Sequence, residues 1–218
     1  MGEGALGVWT ALFGTGRSVR EMVAMLQSMR GTGFTEEDRR SAMEFLSGRN
    51  WPADLPAMDA HWLADELLTA LRLQNPTWDG LAAALAETAF QPGTDPMMRD
   101  YIMQHLGHLW EQGGAREEIE TALWKAVESA DETTSGTALI ALSRGYARDE
   151  QANRLARVRE RALEIASNPA APLASRVTAL AIAGEGGNMA VSNLAERLVN
   201  DAATPVILRK VAENILAK

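Results

Sequence analysis

Cysteine is absent from this 218-residue chain. That excludes a disulfide framework, a thiolate metal site and a cysteine nucleophile, and it leaves both export and a reducing compartment open. Long hydrophobic runs are also missing. The stretch from Ala5 to Phe13 stops at Gly14-Thr15-Gly16, well short of the roughly 20 apolar residues that cross a bilayer, so no transmembrane segment is expected. The opening Met1-Gly2-Glu3-Gly4 lacks the basic start of a signal peptide and suits either a native terminus or a chain cut after a removed leader. Aromatic residues supply only 6% of the chain. There is no phosphate-cradling glycine loop, nucleophile elbow or dinucleotide fingerprint, and no cofactor is expected.

Basic residues are outnumbered: 21 Lys and Arg face 29 Asp and Glu, for a net charge of −8. A field of that sign repels polyanions, so nucleic acid is not an expected partner. Residues 54–132 carry 15 acids and four bases, whereas residues 133–218 carry eight acids and 11 bases. The middle is acidic and the end mildly basic.

Apolar residues make up 46% of the chain, enough for a chain this long to bury roughly 70% of its unfolded surface. They recur at helical spacing, and no segment sustains the alternation of a half-buried strand, which predicts an all-α fold. The expected helices run over about 18–30, 35–47, 59–74, 77–90, 95–112, 116–130, 134–146, 151–167, 172–184, 188–200 and 204–217. Thr35 before Glu36, Glu37 and Asp38 sets a hydroxyl cap and three carboxylates at a helix start, where free amides and the dipole favour negative charge. Asp95-Pro96 and Thr204-Pro205 pair a capping side chain with proline at the first helical position. Gly31, Gly48, Gly113-Gly114 and Gly186-Gly187 are placed to end helices. Between Gly48 and Pro56 two prolines break the helical pattern, and Trp51 and Leu55 within it predict a connection that packs down.

One pattern recurs in the second half: a leucine-rich helix, an Asp or Asn, then a second helix. The punctuation falls at Asp95, Asp131, Asn168 and Asp201, a spacing of 33 to 37 residues. Aligned second helices place Arg99, Thr137, Arg176 and Arg209 in one column. Eight residues later stand Gly107, Gly145, Gly184 and Ala217, small enough to let helices approach closely. Ile102, Ile140, Ala179 and Ala212 form an apolar column facing the core. The first helices add Leu81, Leu85, Ile119, Leu123, Leu155, Ala162, Leu194 and Leu198. One pair of helices cannot cover its own apolar face, so neighbours must stack.

Asp95 with Arg99, Asp131, Arg176, and Asp201 with Arg209 resemble the HEAT-repeat class of α-solenoid, in which an Asp at the turn and an Arg in the second helix recur. The resemblance spans about residues 77–217. The chain departs from it at Thr137 and Asn168, and its Asp-to-Arg spacing varies from four to eight, which argues against a regular Asp–Arg ladder. The stretch from Asp95 to Leu106 also resembles segments of bacterial helical-repeat proteins, often exported. The resemblance implies a short right-handed solenoid of about four helix pairs over 77–218, with residues 1–76 as an N-terminal helical cap packed on the repeats.

Four groups of residues are candidates for function. His105 and His108 lie three apart with Tyr101 and Gln112 on nearly the same face and Asp100 and Glu111 on its flanks. They could join a metal site if another helix supplied a carboxylate, but a polar lining for a helix contact is the simpler expectation. Arg154, Arg157 and Arg161 form a stripe that could dock an acidic segment or a phosphate. Glu150, Glu160 and Glu164 sit close enough to neutralise it as surface pairs. Six tryptophans, at positions 9, 51, 62, 78, 110 and 124, all fall in the first 124 residues. The last four are expected in the core. Met22, Met25 and Met29, with Val19 and Leu26, form one apolar face that suits either a cap on the first repeat or a pliant docking surface.

The expected function is a non-enzymatic interaction module that binds a protein or peptide. Two alternatives are an enzyme on a HEAT-like scaffold, a lyase or metal-dependent protein with its site near His105 and His108, and a structural module of a larger envelope protein. No oligomeric state or compartment follows from the residues.

Overall fold

The structure, a computed structural model, describes residues 16–48, 51, 54–129 and 134–218. Trp9, the run Ala5–Phe13, Asp131 and the connection residues Arg49, Asn50, Pro52 and Ala53 lie outside the described residues. The chain divides into two compact units, Met1–Ile119 and Glu120–Lys218.

Among the described residues there are eleven α-helices and no strand. The first unit holds α1 (Val19–Ser28), α2 (Glu36–Leu46), α3 (Ala57–Arg72), α4 (Leu81–Ala89) and α5 (Pro96–Glu111). Helix α6 (Arg116–Glu128) spans the division. The second unit continues with α7 (Thr134–Arg148), α8 (Ala152–Ser167), α9 (Leu173–Gly184), α10 (Met189–Asn200) and α11 (Val206–Leu216).

Packing alternates along the chain. In the first unit α1 packs on α3 and α3 on α5, while α2 and α4 lie against each other and against α3 and α5 respectively. In the second unit α7 packs on α9 and α9 on α11; α8 contacts α7 and α9, and α10 contacts α9 and α11. Most helices bury one stripe, whereas α7 is buried on nearly every side. Leu63, Leu67, Leu68 and Leu71 of α3 meet a layer that includes Met98, Ile102 and Leu106 of α5, all nearly inaccessible to water.

The local signals explain the boundaries. Thr35 and Asp38 form a reciprocal capping box at α2, and Asp95 accepts from the amides of Met97 and Met98 with Pro96 in the first turn of α5. Ser18 and Glu21 form a second capping box at α1. Pro205 behaves otherwise than expected: it is the residue before α11 and not its first residue, and no side chain caps that helix. Thr204 is buried beneath the turn instead, and Arg209 donates to its carbonyl at 3.2 Å. Helix α4 starts at Leu81 rather than near residue 77; a turn precedes it, with Leu81 N donating to Trp78 O at 3.0 Å.

The arginine column has one shared role. Arg99 Nε donates to Ala89 O at 2.7 Å, and Arg176 Nε to Ala166 O at 3.3 Å. Arg209 reaches the carbonyls of Asp201, Ala202 and Thr204. Each guanidinium donates to carbonyls at or just beyond the end of the preceding helix, where helical partners run out. The turn residues serve their own backbone: Asn168 accepts from Ala170 N at 3.0 Å and Asp201 from Ala203 N at 2.9 Å.

The small column is equally specific at Gly184. A Cβ built there would stand 2.7 Å from Ile215 Cγ1, so α9 and α11 approach closely because that side chain is missing. Ile102, Ala179 and Ala212 of the apolar column are fully buried, and Ile140 is half-buried.

Candidate functional site

Helices α3 and α5 run side by side in the same direction. His61 Nε2 donates to Asp95 Oδ1 at 3.1 Å, and its ring lies 6.4 Å from Tyr101. One turn further along, His105 Nε2 donates to Asp65 Oδ1 at 3.2 Å. His105 is buried, and its Nδ1 meets no hydrogen-bond partner among the described residues.

Burial pushes the His105 imidazole below the usual histidine range, and the Asp65 carboxylate opposes that shift only in part. The hydrogen bond from His105 holds the Asp65 carboxyl below its ordinary value. A neutral imidazole donating to an ionised carboxylate satisfies both directions. His108 turns away to Glu111 at 3.3 Å, with the two imidazole rings edge-on at 5.9 Å. The two histidines therefore serve different carboxylates. Among the described residues, no group of three or more His, Asp or Glu side chains is placed to hold a metal ion.

Tyr101 is half-buried and ends an aromatic row that runs through His61 and Trp51 to Phe45, with successive rings about 6 Å apart. Trp51 Nε1 donates to Phe45 O at 2.8 Å, which fastens this part of the connection to α2.

Three large apolar side chains on α3 and α5 remain in water. Met58 is 77% exposed, Trp62 43% and Met97 48%. Met58 and Trp62 are one turn apart near the start of α3, and Met97 sits in the first turn of the parallel α5. Trp62 is a correction to the expected core placement; Trp110 is buried, and Trp78 and Trp124 are half-buried. Burying the remaining surface of Trp62 would be worth about 2–3 kcal/mol, taking roughly 25 cal/mol per Å² and a tryptophan surface of about 250 Å².

The arginine stripe on α8 is engaged within the second unit. Arg154 pairs with Glu120 and lies over Tyr146, and Arg161 reaches Glu164 at 2.6 Å. Arg157 covers the Trp124 ring at 4.7 Å, and Trp124 Nε1 donates to the Tyr146 hydroxyl at 3.0 Å. Burial raises the Tyr146 phenol above its usual range. The structure thus brings Arg154 and Arg157 together around the Trp124–Tyr146 pair, and Arg161 one turn on pairs within its own helix.

A groove of about 560 Å³ lies between α2 and α4, where Arg39 stacks on Trp78 at 5.0 Å. A cavity of about 370 Å³ lies at the end of α3 and includes Arg72. Sequence reasoning did not single out Arg72. The only available signal was its rarity, as one of four bases among residues 54–132.

No family model, curated protein or solved structure matches the chain. The protein is all-helical, its helices pack against one another, and among the described residues no helix is long and apolar enough to cross a membrane.

Proposed function

We propose that this chain is a helical-repeat scaffold of the HEAT-like solenoid kind that binds a protein or peptide partner. The observation that carries the reading is the exposure of Met58, Trp62 and Met97, large apolar side chains kept in water on two helices, α3 and α5, that pack on each other. Tryptophan and methionine suit a docking surface, the one as a rigid anchor and the other as an adaptable contact. Two further features support the repeat. Odd-numbered helices pack successively on one another within each unit, and an arginine recurs at the carbonyl end of the preceding helix in three of them. Asp59, next to Met58 in α3, favours a partner segment with basic as well as apolar residues.

The test is site-specific photo-cross-linking in native cells. A benzoylphenylalanine in place of Trp62 should give one discrete adduct, lost when Met58 and Met97 are both changed to Asp. The same group at the exposed Asn153 should give none. Adducts of equal yield at both positions, or none at position 62, would overturn the proposal.

A further inference from the structure

We infer that the cavity at the end of α3 binds a small monocarboxylic acid with an apolar body, its carboxylate held by Arg72. This site is separate from Met58, Trp62 and Met97 and does not depend on the reading of that surface.

The cavity, about 370 Å³, includes Arg72, Trp78, Leu81, Ala82, Leu109 and Gly114 among its lining residues. Its volume falls at the low end of the roughly 300–1,000 Å³ usual for ligand pockets. Most of the wall is hydrocarbon or indole, which favours an apolar body.

Arg72 is the cation in that wall, beside the polar side chains of Thr77, Asp79 and Gln112. It is half-buried, and its Nε is shielded from water with no hydrogen-bond partner among the described residues. Buried charges in proteins are ordinarily paired, because desolvation without compensation is costly. Here the compensation is incomplete. The fields of Glu111 and Asp65 favour the guanidinium, and that of Arg30 opposes it. Desolvation outweighs them and pushes Arg72 down from its ordinary value. The shielded Nε is out of an anion's reach, but an anion in the cavity would meet the terminal nitrogens of the same guanidinium and offset its incompletely compensated charge.

The backbone adds to the preference. Helix α4 starts after Gly80, and no side chain caps it. The first bond of α6 runs from Ile119 N to Ala115 O at 3.2 Å, so its leading residue is an alanine with no capping group. Both starts border the cavity and leave amides that favour negative charge. Asp79, exposed where it borders the cavity, together with Glu111 and Asp65, sets a limit on that charge. A single carboxylate gains from Arg72, whereas a polyanion would be repelled by the surrounding acids.

The experiment titrates the isotope-labelled full chain with 3-phenylpropionate, octanoate and indole-3-acetate, each beside its neutral primary amide, and follows backbone amide resonances. At least one acid should produce saturable shifts at Ala82, Gly113 and Gly114, with its amide at least tenfold weaker. Arg72→Met should weaken the acid tenfold or more. Thr77→Trp, an exposed cavity residue away from the core, should also weaken it and gives the answer if Arg72→Met does not fold. Absence of saturable shifts with all three acids, equal binding of acid and amide, or unchanged affinity in either folded variant would overturn the assignment.

Discussion

Replacing Gly184 with alanine sets two opposing effects against each other at a single methyl group. Alanine is favoured over glycine inside a helix by about 1 kcal/mol, but Gly184 is the last residue of α9 and gains only part of that. Against this, the new Cβ would fall 2.7 Å from Ile215 Cγ1 and 2.8 Å from Cδ1. A β-branched side chain in a helix is largely confined to one χ1 rotamer, so Ile215 does not swing clear freely. Overpacking of this kind costs about 1–3 kcal/mol. The collision therefore wins, and Gly184→Ala should destabilise the second unit by about 1–2 kcal/mol. Urea unfolding followed by circular dichroism at 222 nm measures it. The decisive variant is the pair with Ile215→Ala. Removing the obstructing side chain should recover at least half the loss, giving a coupling of about 1 kcal/mol. If Gly184→Ala is as stable as the parent, or if the two changes add without coupling, the close approach of α9 and α11 does not restrict position 184.

Three further outcomes follow from the same contacts. His105 has its folded pKa below the unfolded value and Asp65 likewise, so the unfolded chain binds more protons. Stability should fall on acidification below about pH 6.5 for the histidine and again below about pH 4 for the carboxylate. His105→Gln should remove the first step in pH-dependent urea midpoints, and an unchanged step would reject the assignment. Arg176→Ala leaves the Ala166 carbonyl without its charged donor and should cost about 1–2 kcal/mol, with Arg176→Lys restoring less than half; equal stability of all three proteins would count against the anchoring role. Tyr146→Phe deprives the Trp124 indole of its acceptor and should cost about 1–2 kcal/mol with a shift in tryptophan emission. An unaltered spectrum would show that the bond to Trp124 is not formed in solution.

The order of helices was legible because each carries its own apolar period and its own punctuation. Thr35 with Asp38, and Asp95 with Pro96, act within one turn of backbone, so their role does not depend on distant parts of the chain. Gly31, Gly48 and Gly113 take positive φ after helices, as stop signals should. The same local reasoning misplaced Pro205, since a proline suits both the last residue before a helix and the first within it. It also placed Trp62 in the core, because neighbouring leucines and alanines describe a helix without saying which side faces a partner helix.

The candidate sites were less legible. Tyr101, His105 and His108 share one helix in sequence, yet only α3 supplies the Asp65 that takes one histidine, while the other stays with Glu111. The arginines of α8 read as a free basic stripe until Glu120 and Trp124 of α6 are brought beside them. Arg72 carries no sequence motif at all.

By itself the sequence determined an all-helical chain, the extent of most helices, and the repeated arginine and small-residue columns, because periodicity, capping and helix termination are short-range effects of residues on their own backbone. Tertiary structure alone decided which charges are paired, which aromatic side chain is left in water and where a cavity surrounds an arginine. Those depend on side chains separated by tens of residues meeting across helices, and on how much water their meeting excludes.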